Sequence, residues 1–267
     1  MDYAFIGGGN MGRAMAGALI KKGVCAGDAV LVVEPEAKGR QACTALGCRV
    51  ANVAGPELSQ AAVVVLAVKP QVSAEVLAQL KPHLTPSQVV VSIMAGVTLA
   101  SLRTVLGDVP LVRVMPNTPA QVGLGMSVYH AAVGVSTMQR QLVARMLDAS
   151  GASLEVDSED GIDAATAISG SGPAYVFYFA EHCMAAAQDL GFSEEQATLL
   201  VRQTLLGATH LWESAGLPPA TLRTQVTSKG GTTAAALAHF ELQEVGPRLQ
   251  GGLQQAYKRA KELAQGV

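Results

Sequence analysis

Through about residue 150, short apolar runs rich in β-branched residues alternate with stretches whose apolar positions recur at helical spacing, the pattern of βαβ units on a parallel sheet. Strands are predicted at Tyr3–Ile6, Val30–Val33, Val63–Ala67, Val89–Ile93, Leu111–Met115 and Ser127–His130. A first helix is predicted from Met11 to Lys22, stopped by Gly23, and another from Gln71 to Leu80, ahead of Pro82. Past an acidic stretch holding Glu155, Asp157, Glu159 and Asp160 the strand runs cease and long helical patterns take over. Asp163–Ile168 reads as helix, Ser169–Pro173 interrupts it, and Ala174–Leu190 resumes. Ser193 with Gln196 forms a capping box for a helix reaching about Ser214 and closed by Gly216 and Pro218. Further helices are predicted near Thr233 and from about Pro247 to Ala264. The chain therefore divides into an α/β domain over 1–158 and an all-α domain over 159–267.

Composition narrows the class. Of 267 residues, 49% are apolar, 15% charged and 4% aromatic, so a sizeable core filled by Ala, Val and Leu is expected. The formal charge of −2 leaves no basic field to hold a phosphate backbone, and no nucleic acid is expected as a partner. The longest apolar run, Ala61–Val68, falls far short of the roughly 20 residues that span a bilayer, so no membrane is expected. A strand-like run already begins at Tyr3, leaving no room for a secretory leader ahead of it, and a cytoplasmic location is expected. Cys25, Cys43, Cys48 and Cys183 lack CxxC spacing and read as reduced packing residues. His83, His130, His182, His210 and His239 form no HExxH or Cys/His ligand set, so no metal is expected.

Chemistry enters at the first strand. Gly7, Gly9 and Gly12 make GxGxxG directly between an apolar strand and a helix. The first glycine permits the tight turn, the second lets backbone approach a pyrophosphate, and the third lets helix and strand pack closely. Ile6, Gly7, Gly8, Gly9, Asn10, Met11 and Gly12 are thus candidates for binding NADP or NAD, and the N-terminal domain is expected to be a Rossmann-like doubly wound sheet. Glu34 lies 22 positions after Gly12, near the ~20-residue offset at which an acid meets the adenosine ribose. Its carboxylate would accept from a 2′-OH and repel a 2′-phosphate, which favours NAD. Lys38 and Arg40, just beyond, offer compensating charge, and an acid merely solvated at a strand end is the alternative reading.

Five segments carry a more specific signal: IGGGNMG from Ile6 to Gly12, AVKPQ from Ala67 to Gln71, MPNTP from Met115 to Pro119, SGSGPAY from Ser169 to Tyr175, and VTSKGGTT from Val226 to Thr233. In this order the chain resembles the pyrroline-5-carboxylate reductases. The resemblance implies reduction of 1-pyrroline-5-carboxylate to L-proline with NADPH or NADH, the final step of proline biosynthesis. It also implies that the helical domain dimerises, building an interlocked homodimer, with a higher ring such as a decamer beyond it. By position it implies that Ala67, Val68, Lys69 and Pro70 border the cofactor and that Asn52 lies near the adenosine ribose. Met94, Ala95 and Gly96 would approach the nicotinamide, and Ser228, Gly230, Gly231, Thr232 and Thr233 would hold the substrate. Independently of the resemblance, Asn117 follows a strand at the carboxyl edge of the sheet and is a candidate cofactor-binding residue that pins a loop near the nicotinamide, a turn fixed by Pro116 and Pro119 being the alternative reading. Many members carry Pro where this chain has Lys229, and the residues ending the second strand vary across the family, which leaves NAD against NADP open.

The residues themselves suit such a reaction. A Gly-Gly pair lets backbone N–H groups approach a carboxylate, and a helix starting at Thr232 or Thr233 presents the positive end of its dipole. Thr233 is the candidate donor to the imine nitrogen, either directly or as a relay from water. An N-cap after a flexible loop would satisfy the same composition. No lysine lies between Lys81 and Lys229, so the acid/base lysine of related β-hydroxy-acid dehydrogenases is missing. A reductase of another imine, or a dinucleotide sensor without chemistry, are the competing readings.

Overall fold

A computed structural model describes residues 2–265. In chain order it has β1 (Tyr3–Ile6), α1 (Asn10–Lys21), β2 (Val30–Val33), α2 (Ala37–Thr44), β3 (Arg49–Ala51), β4 (Val63–Leu66), α3 (Ser73–Leu80), β5 (Val89–Ser92), α4 (Leu99–Leu106), β6 (Leu111–Met115), β7 (Gly125–Ala131), α5 (Thr137–Asp148) and β8 (Gly151–Glu155). Helices α6 (Glu159–Ala165), α7 (Gly172–Asp189), α8 (Glu194–Ala215), α9 (Pro219–Gln225), α10 (Thr232–Leu242) and α11 (Val245–Ala264) follow, with a π-helical turn at Thr166–Gly170. The chain forms two compact units: one runs to Pro173 and takes back the chain from Ala256, and the other is Ala174–Gln255.

The first unit holds one sheet in the order β3-β2-β1-β4-β5-β6-β7-β8. Its strands are apolar on both sides, as a parallel sheet covered by helices requires. Tyr3, Phe5, Val32, Val65 and Val91 point to the face that carries Met15 and Leu19 of α1 and Met146 and Leu147 of α5. Their neighbours Ala4, Ile6, Leu31, Val64 and Val90 point to the face of Leu77 and Leu80 of α3 and Leu102 and Leu106 of α4. This is the expected doubly wound α/β arrangement. One expectation needs correction: the sheet is not wholly parallel, because β7 runs antiparallel to β6, with Arg113 opposite His130 and Met115 opposite Val128. β8 then pairs parallel with β7.

Arg113, in the middle of an apolar strand, is only 3% exposed. Its guanidinium donates to Glu159 Oε1 at 3.0 Å and to Asp163 Oδ1 at 2.6 Å, both on α6. Glu159 Oε1 also accepts from the Leu99 N–H at 3.0 Å, at the start of α4. One ion network thus ties the sheet, α4 and α6 together. The next acid, Asp160, accepts from Tyr257 and pairs with Lys261, both on α11; the Lys261 and Tyr257 hydrogen bonds hold its carboxyl below the usual range.

In the second unit α8 starts with the expected capping box of Ser193 and Gln196 and ends at Gly216 in the left-handed conformation, with φ 61°. Of its described residues only Ala197 is a buried hydrophobic, while Phe177, Phe179, Leu199, Leu206, Leu211 and Trp212 are exposed. Such a surface marks an interface with another chain.

Replacing one member of a buried ion network strands the charges left behind. Arg113→Met should therefore cost about 3 kcal/mol, read as a lower urea midpoint at fixed protein concentration. An unchanged midpoint would mean that the network is energetically idle.

Candidate active site

Strand register builds the first half of the site. Ile6 pairs with both Val33 and Leu66, so β1, β2 and β4 end level. The Gly7 N–H donates to the Val33 carbonyl at 2.8 Å and the Ala67 N–H to the Ile6 carbonyl at 2.8 Å. Beyond these ends opens a groove of about 730 Å³, lined by Gly7–Gly9, Val33–Glu36, Asn52–Ala54 and Ala67–Lys69, with Ile6 at its floor. It sits where the strand order turns from β1 to β4, the switch point at which open α/β sheets bind ligands. Asn52 reaches it because β3 ends just before it at Ala51.

Two of the three fingerprint glycines are demanded by packing, and the third leaves open space. A Cβ on Gly7, whose φ is 108°, would stand 2.5 Å from the Ala67 carbonyl oxygen, and one on Gly12 would collide with the Gly7 carbonyl. Both keep β1, β4 and α1 in close contact. A Cβ on Gly9 would meet nothing within 4 Å. Nothing within the chain forbids a side chain there, so the space over Gly9 is open to a ligand. Gly9 is also the N-cap of α1, with no side-chain cap and no acid in the first turn. The helix end therefore offers free N–H groups and its positive pole to an anion. An open cradle over an uncapped helix end fits a dinucleotide pyrophosphate.

Glu34 forms the wall beside this cradle. Its Oε2 accepts from the Gly8 N–H at 2.8 Å and its Oε1 from the Glu36 N–H at 2.9 Å, which fixes the carboxylate. Arg40 is turned away from it: its Nη1 donates to the carbonyls of Glu34 at 2.8 Å and Pro35 at 2.5 Å. Lys38 and Lys69 also line the groove. Asn10 and Met11 lie in the first turn of α1, and Asn10 accepts from Arg13; Pro70 opens the 3₁₀ turn before α3.

Met94, Ala95 and Gly96 follow β5 at the same carboxyl edge. Met94 is 2% exposed, packs in the core and donates its N–H to Ser92 Oγ, and none of the three residues lines the groove. Asn117 follows β6 with both ends of its amide engaged, Oδ1 by the Met126 N–H at 2.8 Å and Nδ2 by the Ser169 carbonyl at 3.0 Å. Sequence reasoning missed Arg113, Glu159 and Asp163, although an arginine inside the run Leu111–Met115 was a visible signal. All four cysteines are free, and burial pushes the Cys48 thiol up to about 11, well away from nucleophilic use.

The substrate candidates lie in the second unit. The Gly231 N–H donates to the Ser228 carbonyl at 3.1 Å, closing a four-residue turn whose third position, Gly230, has φ 72°. A left-handed third position calls for glycine, and the second position, here Lys229, is the one where proline is common in such turns. Gly231 is the N-cap of α10, which has neither a side-chain cap nor an acid in its first turn. By contrast α4, α5 and α8 are capped by Thr98, Ser136 and Ser193. Thr232 and Thr233 open α10, with Thr233 half-buried and Ser228 exposed. Among the described residues the hydroxyls of Ser228 and Thr233 take no hydrogen bond.

Residues 159–263 match the family model described as pyrroline-5-carboxylate reductase dimerisation. Residues 2–96 match the one described as NADP oxidoreductase, coenzyme F420-dependent. A pyrroline-5-carboxylate reductase of Pseudomonas aeruginosa is 40% identical over 98% of this chain and 96% of its own. One from Arabidopsis thaliana is 34% identical over 98% and 95%. Among solved structures, a pyrroline-5-carboxylate reductase from Coxiella burnetii superposes with TM-score 0.92 at 35% identity, covering 98% of each chain. The Plasmodium falciparum pyrroline carboxylate reductase with NADP bound gives 0.87 at 28% identity, covering 99% of this chain and 98% of that one.

The glycine geometry separates folding from binding. Gly9→Ala should leave the melting temperature unchanged yet weaken NADH or NADPH binding, followed by fluorescence titration, by about tenfold or more, the equivalent of 1.4 kcal/mol. Gly12→Ala should lose stability and binding together. Unaltered affinity in Gly9→Ala would show that the open space over α1 is not where the dinucleotide lies.

Proposed function

The chain belongs to the pyrroline-5-carboxylate reductase family, and on that premise we propose how its residues reduce 1-pyrroline-5-carboxylate to L-proline with NAD(P)H, the final step of proline biosynthesis. Nicotinamide, when bound, supplies the hydride that saturates the C=N bond. The chain positions the reactants, excludes water and provides hydrogen bonds. In this reading residues 1–158 hold the cofactor through Gly7–Gly12, Glu34, Asn52, Ala67–Pro70 and Met94–Gly96, and residues 159–267 provide the substrate site and the subunit contact.

The observation that carries the substrate assignment is the bare start of α10, uncapped and without an acid, with free hydroxyls beside it. We assign the substrate carboxylate to the N–H groups of Thr232 and Thr233 and to the Ser228 hydroxyl. An anion at a helix N-terminus gains about 0.3–1 kcal/mol when exposed and up to ~2 kcal/mol when partly buried. The ring nitrogen ends as a secondary amine, so a proton must reach it or arrive with the substrate. The Thr233 hydroxyl is the group we place at that nitrogen. A hydroxyl is too weak an acid to protonate alone, so it orients the imine or relays a proton from water. Lys229 adds a cation beside the turn where many relatives have a proline.

The chain forms a homo-oligomer. The exposed faces of α7 and α8 support a homodimer, and a higher ring such as a decamer is the larger assembly we propose, in the cytoplasm. No helix among the described residues is long and apolar enough to cross a membrane.

A steady-state assay with pyrroline-5-carboxylate and NADH or NADPH tests the reading: turnover is expected, and none with either cofactor overturns it. Glu34→Gln keeps an oxygen for the Gly8 N–H but removes the charge. It should shift the NADPH-to-NADH preference toward NADPH by roughly tenfold, as loss of a charge-assisted bond and of a repulsion implies; an unchanged ratio would make Glu34 a bystander. Thr233→Val keeps shape and backbone N–H, and should lower kcat on the order of 10²-fold with a small effect on KM. Wild-type kcat in that variant would remove the hydroxyl from the chemistry.

A further inference from the structure

Two of the five sequence segments, MPNTP and SGSGPAY, are tied together by one side chain. In an α-helix the Ser169 carbonyl would take its hydrogen bond from the N–H four residues on. That residue is Pro173, which has no N–H. At this point the helix widens into the π turn Thr166–Gly170, with the Ser171 N–H donating to the Thr166 carbonyl at 2.8 Å. Single π turns inside α-helices are often found at functional sites. The hydroxyls of Thr166 and Ser169 bond back to the carbonyls of Ile162 at 2.8 Å and Ala165 at 3.1 Å, competing with the regular ladder.

The Asn117 amide stands against this break. Its Nδ2 donates to the Ser169 carbonyl at 3.0 Å, while its Oδ1, held by the Met126 N–H, fixes the amide's direction. Asn117 lies outside the dinucleotide groove, whose walls follow β1 to β4. We infer that Asn117 is a positioning residue: its side chain supplies the donor that Pro173 withholds, and so sets the Ser169–Ser171 backbone against the carboxyl end of β6. The bond is needed only because a proline stands at 173, which makes the inference testable by restoring the missing N–H. Its consequence for catalysis rests on the reductase reading above; the hydrogen-bond exchange does not.

The experiment is a double-mutant cycle in the full-length protein, with Asn117→Ala, Pro173→Ala and both. Exchange of the Ser171 amide should quicken about three- to tenfold in Asn117→Ala, the range expected for losing one such bond. It should return toward wild type in the double variant. The kcat should fall and recover in parallel, while NADH affinity by fluorescence stays within about twofold in all four proteins. Additive losses in the double variant, or a loss of NADH affinity in Asn117→Ala as large as the loss of kcat, would overturn the inference. If Asn117→Ala fails to fold, Asn117→Asp, which keeps an oxygen for Met126 but sets a charged acceptor in place of the donor, must lose at least as much as Asn117→Ala is expected to and be partly rescued by Pro173→Ala; no rescue would overturn the inference. Absence of pyrroline-5-carboxylate turnover in the wild type would count against the reductase reading alone, since the Ser171 exchange would still report on the bond.

Discussion

Backbone approaches backbone so closely at the end of β1 that no side chain fits between. Gly7 lies on the Ala67 carbonyl and Gly12 on the Gly7 carbonyl, which brings the start of α1 to the level where β1, β2 and β4 all end. Everything on the cofactor side follows from that contact. The helix dipole aims at the groove, Gly8 reaches the carboxylate of Glu34, and residues leaving three neighbouring strands face one space. A methyl group at either position would open the sheet edge and dissolve the site together with the packing.

The same physical device recurs at the proposed substrate site. Both α1 and α10 begin without a side-chain cap and without an acid in the first turn, and both follow a glycine turn. Helix ends are normally satisfied by a Ser, Thr, Asp or Asn cap, as α5 and α8 are by their capping boxes. Leaving an end bare costs stability in the free protein and returns it when an anion binds. The two anions of the reaction, a pyrophosphate and a carboxylate, are the groups we propose for the starts of α1 and α10; α2 and α9 also begin without a side-chain cap or an acid in the first turn, but no glycine caps them. Elsewhere the chain satisfies its polar groups: among the described residues no buried side-chain nitrogen or oxygen lacks a partner.

What the sequence revealed followed the strength of its patterns. Strands buried on both faces, such as Val63–Leu66 and Val89–Ser92, read directly as apolar runs, and the capping box at Ser193 gave the start of α8. The short edge strand Arg49–Ala51 and the strand Gly151–Glu155 carry too little apolar signal to be seen, since their burial is partial. The reversal of β7 was invisible because an apolar run has no direction. At the site, the glycine fingerprint and Glu34 were legible from spacing, but that Arg40 is spent on two carbonyls depends on side-chain placement. The turn at Ser228–Gly231 resembled an ordinary N-cap loop on its own residues; only family resemblance marked it. The pairing of Asn117 with Ser169 joins residues 52 positions apart, beyond any local pattern.

The arrangement stands or falls with the bare start of α1. The most direct measurement is amide hydrogen exchange across Gly9–Met11 in the full-length protein, with and without saturating NADH or NADPH. A dinucleotide seated on this helix end should slow exchange of these amides together with those flanking Glu34 and Ala67. Saturable dinucleotide binding that leaves Gly9–Met11 exchanging at the free rate would contradict it.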